Sequence, residues 1–131
     1  MTRIAVVNDD TIFLDMMAAV LQERGWETDI YREGHSAFEQ LKANPPDLII
    51  LDIRMESAET GWTILELLTL DRAMRPIPVI VCSAALIDLR AHEELLRMYG
   101  VTVLPKPFDI ETLYQRVEEA LVQRAPGQLD D

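Results

Sequence analysis

The sequence predicts an α/β domain: a doubly wound, five-stranded parallel sheet covered by five helices. Two observations carry that expectation. Short apolar runs alternate five times with stretches of helical periodicity. Right-handed crossovers then require a parallel sheet with helices on both faces. The clearest run is Pro45-Pro46-Asp47-Leu48-Ile49-Ile50-Leu51-Asp52. Leu48 to Leu51 is apolar at every position, the mark of a strand buried on both sides. Two prolines set its start and a carboxylate sits at its end.

The elements follow in order. Arg3 to Val7 is a central strand ending at Asn8-Asp9-Asp10. Thr11 to Arg24 places Phe13, Met17, Val20 and Leu21 at helical spacing, and Gly25 closes that helix as a C-terminal cap. Trp26 to Tyr31 is more polar and lies nearer the sheet edge. Gly34 to Ala43 is a short helix with Ala37, Phe38 and Leu41 inward, stopped by Pro45 and Pro46. A polar loop over 56–61 follows the Asp52 strand, then a helix from Thr63 to Met74. Pro76 and Pro78 bracket the start of the fourth strand, Val79 to Cys82, which ends at Ser83-Ala84-Ala85. Leu86 to Tyr99 is the fourth helix, capped by Gly100, and Val101 to Leu104 is the fifth strand. Pro105-Lys106-Pro107-Phe108 is a rigid loop. Asp109 caps a last helix to Gln123, with Leu113, Val117, Ala120 and Leu121 on one face. The domain spans residues 1–124, and 125–131 form a flexible C-terminal tail. There are no internal repeats and no low-complexity segment.

Composition narrows the function. A chain of 131 residues holds one domain with a proper core, not two. Asp plus Glu outnumber Lys plus Arg by 23 to 12, a formal charge of −11. That argues against direct nucleic-acid binding, which needs a basic surface, and against docking on an anionic membrane. It suits a divalent metal or a basic partner. The single cysteine, Cys82, excludes an intramolecular disulfide and reads as a small buried thiol. No apolar run is long enough to span a bilayer. The first ten residues turn acidic too soon for a signal peptide, so a cytoplasmic location is expected.

Polar residues at strand ends carry the chemistry. Asn8, Asp9 and Asp10 follow strand one, Asp52 follows strand three, Ser83 ends strand four, and Lys106 follows strand five. In a flavodoxin-like order of 2-1-3-4-5, all of them fall on the carboxyl edge, where open α/β sheets bind ligands. Carboxylates gathered there stay ionised only beside a cation. Mg²⁺, held by one or two carboxylates and waters, is the natural choice, with Mn²⁺ as an alternative. Asp52 could act as ligand and as nucleophile toward a phosphoryl group. Ser83 could hydrogen-bond an equatorial oxygen, and Lys106 could supply positive charge.

Four words of the sequence bring a family into view. Ile4-Ala5-Val6-Val7-Asn8-Asp9-Asp10, Leu48-Ile49-Ile50-Leu51-Asp52-Ile53-Arg54-Met55, Val79-Ile80-Val81-Cys82-Ser83-Ala84 and Leu104-Pro105-Lys106-Pro107-Phe108-Asp109 resemble the receiver domains of two-component response regulators, including the single-domain chemotaxis type. The resemblance runs from Arg3 to Gln123. It implies that Asp52 is the phosphoacceptor, that Asp9 and Asp52 bind Mg²⁺ with the backbone carbonyl of Arg54, that Ser83 is the switch hydroxyl, and that Lys106 pairs with the phosphoryl group. It also implies a cis Lys106-Pro107 peptide.

The chain departs from the family pattern at several positions. Asn8 stands where the first acid of a pair is usual; it or Asp10 could orient a metal-bound water, while Asp10 also suits a helix cap. The 55–61 loop lacks a Met-Pro start. Val103 stands where an aromatic residue is usual. Arg54, Ala85 and Val103 are the positions expected to modulate the switch. His35 and His92 lack partners at ligand spacing and read as surface residues. Trp26 and Trp62 read as core-edge packing.

The resulting expectation is a phosphorylation-dependent switch in a phosphorelay, not a conventional enzyme. A histidine kinase or histidine phosphotransfer protein would donate to Asp52. A downstream protein or output domain would receive the signal, and the face formed by the fourth helix, fifth strand and last helix could form a homodimer. A receiver-like interaction module that works without phosphorylation is the alternative. A phosphatase of the haloacid dehalogenase type is disfavoured, because Arg54 stands where its second acid would be. A nucleotide-binding domain is disfavoured because no glycine-rich loop follows strand one. Arg54 is expected to lie over the phosphoryl group. Arg54→Ala should therefore change the lifetime of the phosphorylated form, measured by loss of the protein-bound phosphoryl group over time; an unchanged lifetime would remove that role.

Overall fold

Continuous burial along the central strands sets the architecture. The computed structural model describes residues 1–53, 60–84 and 86–129. The Leu48–Leu51 run forms strand β3, flanked by β1 (Arg3–Val7) and β4 (Val79–Ser83), with β2 (Glu27–Tyr31) and β5 (Thr102–Pro105) at the edges. The order is β2-β1-β3-β4-β5, and every pairing is parallel. Successive strand residues point to opposite faces. Leu48 and Ile50 therefore join one core cluster, and Ile49 and Leu51 join the other. That is why the run is apolar throughout.

Helix α1 (Thr11–Glu23) and helix α6 (Ile110–Leu129) cover the first face with Leu14, Met17, Leu21, Leu113 and Val117. The second face is covered by α2 (Gly34–Ala43), α3 (Thr60–Leu70), α4 (Leu86–Ala91) and α5 (Glu93–Tyr99). These contribute Ala37, Leu41, Ile64, Leu65, Leu68, Leu89 and Leu96. Each of these side chains removes apolar surface from water, worth about 1.5–3 kcal/mol for a fully buried large aliphatic. Gly25 and Gly100 take φ of +86° and +71° just past α1 and α5, the left-handed turns expected of both.

Three elements differ from the sequence expectation. The fourth helix is two, so the described residues hold six helical segments rather than five. The break is at His92, whose backbone leaves helical geometry at φ −113° and ψ 19°. Its ring stacks on Trp62 of α3, centroids 4.1 Å apart. A contact between elements overrides local propensity there, and His92 is half-buried rather than a mid-helix surface residue.

Helix α3 runs from Thr60 to Leu70, not from Thr63 to Met74. It stops because the Asp71 carboxylate accepts hydrogen bonds from the N–H groups of Ala73 and Met74, 2.9 and 3.1 Å, and starts a turn of its own. The last helix continues to Leu129 instead of ending near Gln123, so residues 125–129 carry helical backbone. Val122 to Ala125 contains no helix breaker, so nothing in the chain stops the helix at Gln123.

Asp71 also pairs with Lys42 of α2 at 2.8 Å, tying α2 to the turn after α3. The Lys42 ammonium holds the Asp71 carboxyl below its ordinary 3.8. A folded-state value below the unfolded one means stability that is present above pH 3.8 and lost as pH falls through the lower value. Asp71→Ala should lower the melting temperature by a few degrees at pH 7, and the gap to wild type should close on acidification below pH 3.8. Thermal melts across that range check both halves.

Candidate functional site

Level registers bring the strand ends together. Val7 lies opposite Leu51, Leu51 opposite Val81, and Ser83 opposite Pro105. Asn8, Asp52, Ser83 and Lys106 therefore leave the sheet at one edge. Backbone bonds continue past the strands: Asp52 N–H donates to Val7 C=O at 3.1 Å, and Lys106 N–H to Ser83 C=O at 2.9 Å. The Lys106-Pro107 peptide is cis, as the resemblance implied.

Asp52 is only 8% exposed. A carboxylate that deep needs partners for its charge. Its Oδ2 accepts from Asn8 Nδ2 at 3.0 Å and from Lys106 Nζ at 3.3 Å. Asn8, 1% exposed, also accepts the Asp10 N–H on Oδ1 at 2.8 Å. Its amide thus bridges the Asp52 carboxylate and the first turn after β1. Asp10 Oδ1 accepts from the N–H groups of Ile12 and Phe13, 3.0 and 3.3 Å, and caps α1. Asp9 is exposed on the same edge, and Ser83 is buried at the end of β4.

Among the described residues, His, Cys, Asp and Glu do not gather in metal-binding groups of three. Among the described residues this edge offers the Asp9 and Asp52 carboxylates as hard oxygen donors beside the capping Asp10, and that chemistry suits Mg²⁺ with water completing its shell. Arg54 and Ala85 lie outside the described residues, as does the 55–59 part of the loop. Val103 is half-buried on β5 and lines a groove of about 470 Å³ with Leu89, Leu96 and Val101. Cys82 lies one residue from Ser83 but points into the α1/α6 core, where burial pushes its thiol up to about 12. It is inert at neutral pH.

Two residues matter more than the sequence suggested. Phe13 is expected only as an inward helix position, yet its ring centroid lies 4.1 Å from Lys106 Nζ. The signal was an aromatic residue three positions after a helix-capping aspartate. Gly61 looked like a loop end, yet it is buried in the first turn of α3, and an added Cβ would land on the Ile53 backbone. Glycine there lets α3 close against the residue after Asp52.

The fold and this strand edge together define a receiver, and the chain belongs to the response regulator receiver domain family, which it matches over residues 4–118. Its curated relatives include the transcriptional regulatory protein ZraR of Escherichia coli K12, 30% identical over 118 residues. That match takes in 90% of this chain and 26% of ZraR, so the chain spans about a quarter of that relative. Among solved structures, a CheY-like receiver domain protein from Methanospirillum hungatei superposes with a TM-score of 0.84 at 22% identity, over 97% of this chain and 98% of that one. The receiver domain of the sensor histidine kinase PA1611 from Pseudomonas aeruginosa has a TM-score of 0.78 at 21% identity, over 92% and 97% of the two chains. That structure has a magnesium ion coordinated in its active-site cleft.

Gly61→Ala should destabilise the fold by about 1–3 kcal/mol, the range of an overpacked site whose neighbour is backbone. A lowered urea midpoint with an unchanged m-value checks it.

Proposed function

We propose that this chain is a cytoplasmic phosphorylation-dependent switch in which Asp52 accepts a phosphoryl group from a histidine kinase or histidine phosphotransfer protein. The observation that carries the reading is the buried Asp52 carboxylate with the Lys106 ammonium 3.3 Å from Oδ2. An Asp52 oxygen attacks phosphorus, the P–N bond to the donor imidazole breaks, and its electron pair returns to the imidazole nitrogen. Lys106 faces the charge that develops on the phosphoryl oxygens. Ser83, one residue past the Cys82 core position, supplies a hydroxyl to an equatorial oxygen.

Mg²⁺, or Mn²⁺ in its place, would be held by Asp9, Asp52 and the backbone carbonyl of Arg54, and would screen the repulsion between carboxylate and phosphoryl group. The magnesium in the PA1611 receiver supports this assignment. Asn8 brings no charge to it, and its amide is engaged with Asp52 and Asp10. Metal affinity is accordingly lower than two acids at positions 8 and 9 would give.

Phosphorylation adds about −1.5 to −2 charges and draws Ser83 and Lys106 toward the group. The output is a shift of α4, α5 and β5 that changes affinity for a downstream protein, an output domain, or a second copy through the face that α4, α5 and β5 share with α6. Val103 lines a groove there with Leu89, Leu96 and Val101. The chain is a switch that assists its own phosphoryl chemistry, not a turnover enzyme.

A second reading, an interaction module independent of phosphorylation, is favoured by one observation: Asn8 already bonds the Asp52 carboxylate, so its charge has a neutral partner without metal. Intact mass after incubation with Mg²⁺ and acetyl phosphate separates the two. One added phosphoryl group, absent from Asp52→Asn, is the expected result. No adduct at saturating Mg²⁺ would favour the second reading.

A further inference from the structure

We infer that Phe13 is a positioning residue for Lys106, its ring face acting as the second partner of the ammonium that pairs with Asp52. The inference rests on the phosphoryl-switch reading for its functional consequence and on geometry for the contact itself.

The contacts form a closed circuit. Asn8 Nδ2 donates to Asp52 Oδ2 at 3.0 Å, and Asn8 Oδ1 accepts from Asp10 N–H at 2.8 Å. Asp10 Oδ1 accepts from Phe13 N–H at 3.3 Å, which sets the ring at the start of α1. The Phe13 centroid lies 4.1 Å from Lys106 Nζ, and Lys106 Nζ returns to Asp52 Oδ2 at 3.3 Å. Phe108 packs against Phe13 in a T-shaped arrangement, centroids 6.5 Å apart and planes at 89°, which gives the ring a second packing partner.

The ammonium needs that ring. A distance of 3.3 Å is long for a charge-assisted N–H···O bond. The Lys106 side chain is 23% exposed, so water competes for it. An aromatic face well inside the 6 Å reach of a cation–π contact attracts the ammonium and keeps water off one side. Lys106 then stays over the cleft as the carboxylate charge is replaced by that of the phosphoryl group. Leucine at position 13 would fill similar space without the negative face, whereas tyrosine would keep it.

Two readouts test this. In the wild-type protein, ring current from Phe13 should shift the Lys106 ε-methylene protons upfield of solvated lysine, and Phe13→Leu should abolish the shift. With Mg²⁺ and acetyl phosphate, Phe13→Leu should be phosphorylated about three- to tenfold more slowly, the range of a partly exposed cation–π contact, and Phe13→Tyr should restore the rate. Solvent-like ε-proton shifts in wild type would overturn the inference. So would a Phe13→Leu rate equal to wild type while Asp52→Asn stays blank. If wild type itself takes no phosphoryl group, the switch reading falls, and the ε-proton shifts alone still decide whether Phe13 holds Lys106.

Discussion

A single carboxylate oxygen organises this molecule. Asp52 Oδ2 lies at the end of the most deeply buried strand, and its charge has to be met inside the protein. The partners come from both sides of β3: Asn8 from the end of β1 and Lys106 from the loop after β5. Neither could reach it if the registers slipped by one residue, because a one-residue slip turns side chains to the other face. The parallel sheet is the frame that makes this convergence, and the two apolar layers hold the frame level.

The surroundings of that oxygen are tied to the fold by short links. Asn8 joins the carboxylate to the first turn of α1, and Asp10 caps the helix from the same turn. Lys106 is anchored through its own N–H to the Ser83 carbonyl, so the strand that carries the hydroxyl also sets the lysine loop. On the opposite face, Gly61 lets α3 approach the backbone next to Asp52. Asp52 is thereby linked to the start of α1 through Asn8 and to the loop after β5 through Lys106.

Away from the site, the second face is less regular than the first. The helix expected to be continuous divides at His92, and the His92 ring lies on Trp62. Val103 sits beside this divided pair and leaves the groove open. On the first face, Tyr114 of α6 donates its hydroxyl proton to the Val20 carbonyl of α1 at 2.7 Å, and Arg24 pairs with Glu118.

Sequence alone determined the strand and helix alternation, the parallel sheet and the polar residues at its strand ends, and the flavodoxin-like order assumed for it is the one observed. The elements follow from unbroken apolar runs and period-3.6 apolar patterns, from proline and glycine punctuation, and from crossover handedness, all local or topological rules. Asn8, Asp52, Ser83 and Lys106 were legible because each stands directly after an apolar run. Tertiary structure alone decided the break at His92, the close approach at Gly61 and the Phe13 face under Lys106. The His92 break and the Phe13 contact depend on groups far apart in the chain, 30 residues for Trp62 and His92 (92 − 62) and 93 for Phe13 and Lys106 (106 − 13), and the Gly61 approach depends on α3 closing against the Ile53 backbone. Periodicity reports which side of a helix is buried; only packing decides which atom a buried ring will face.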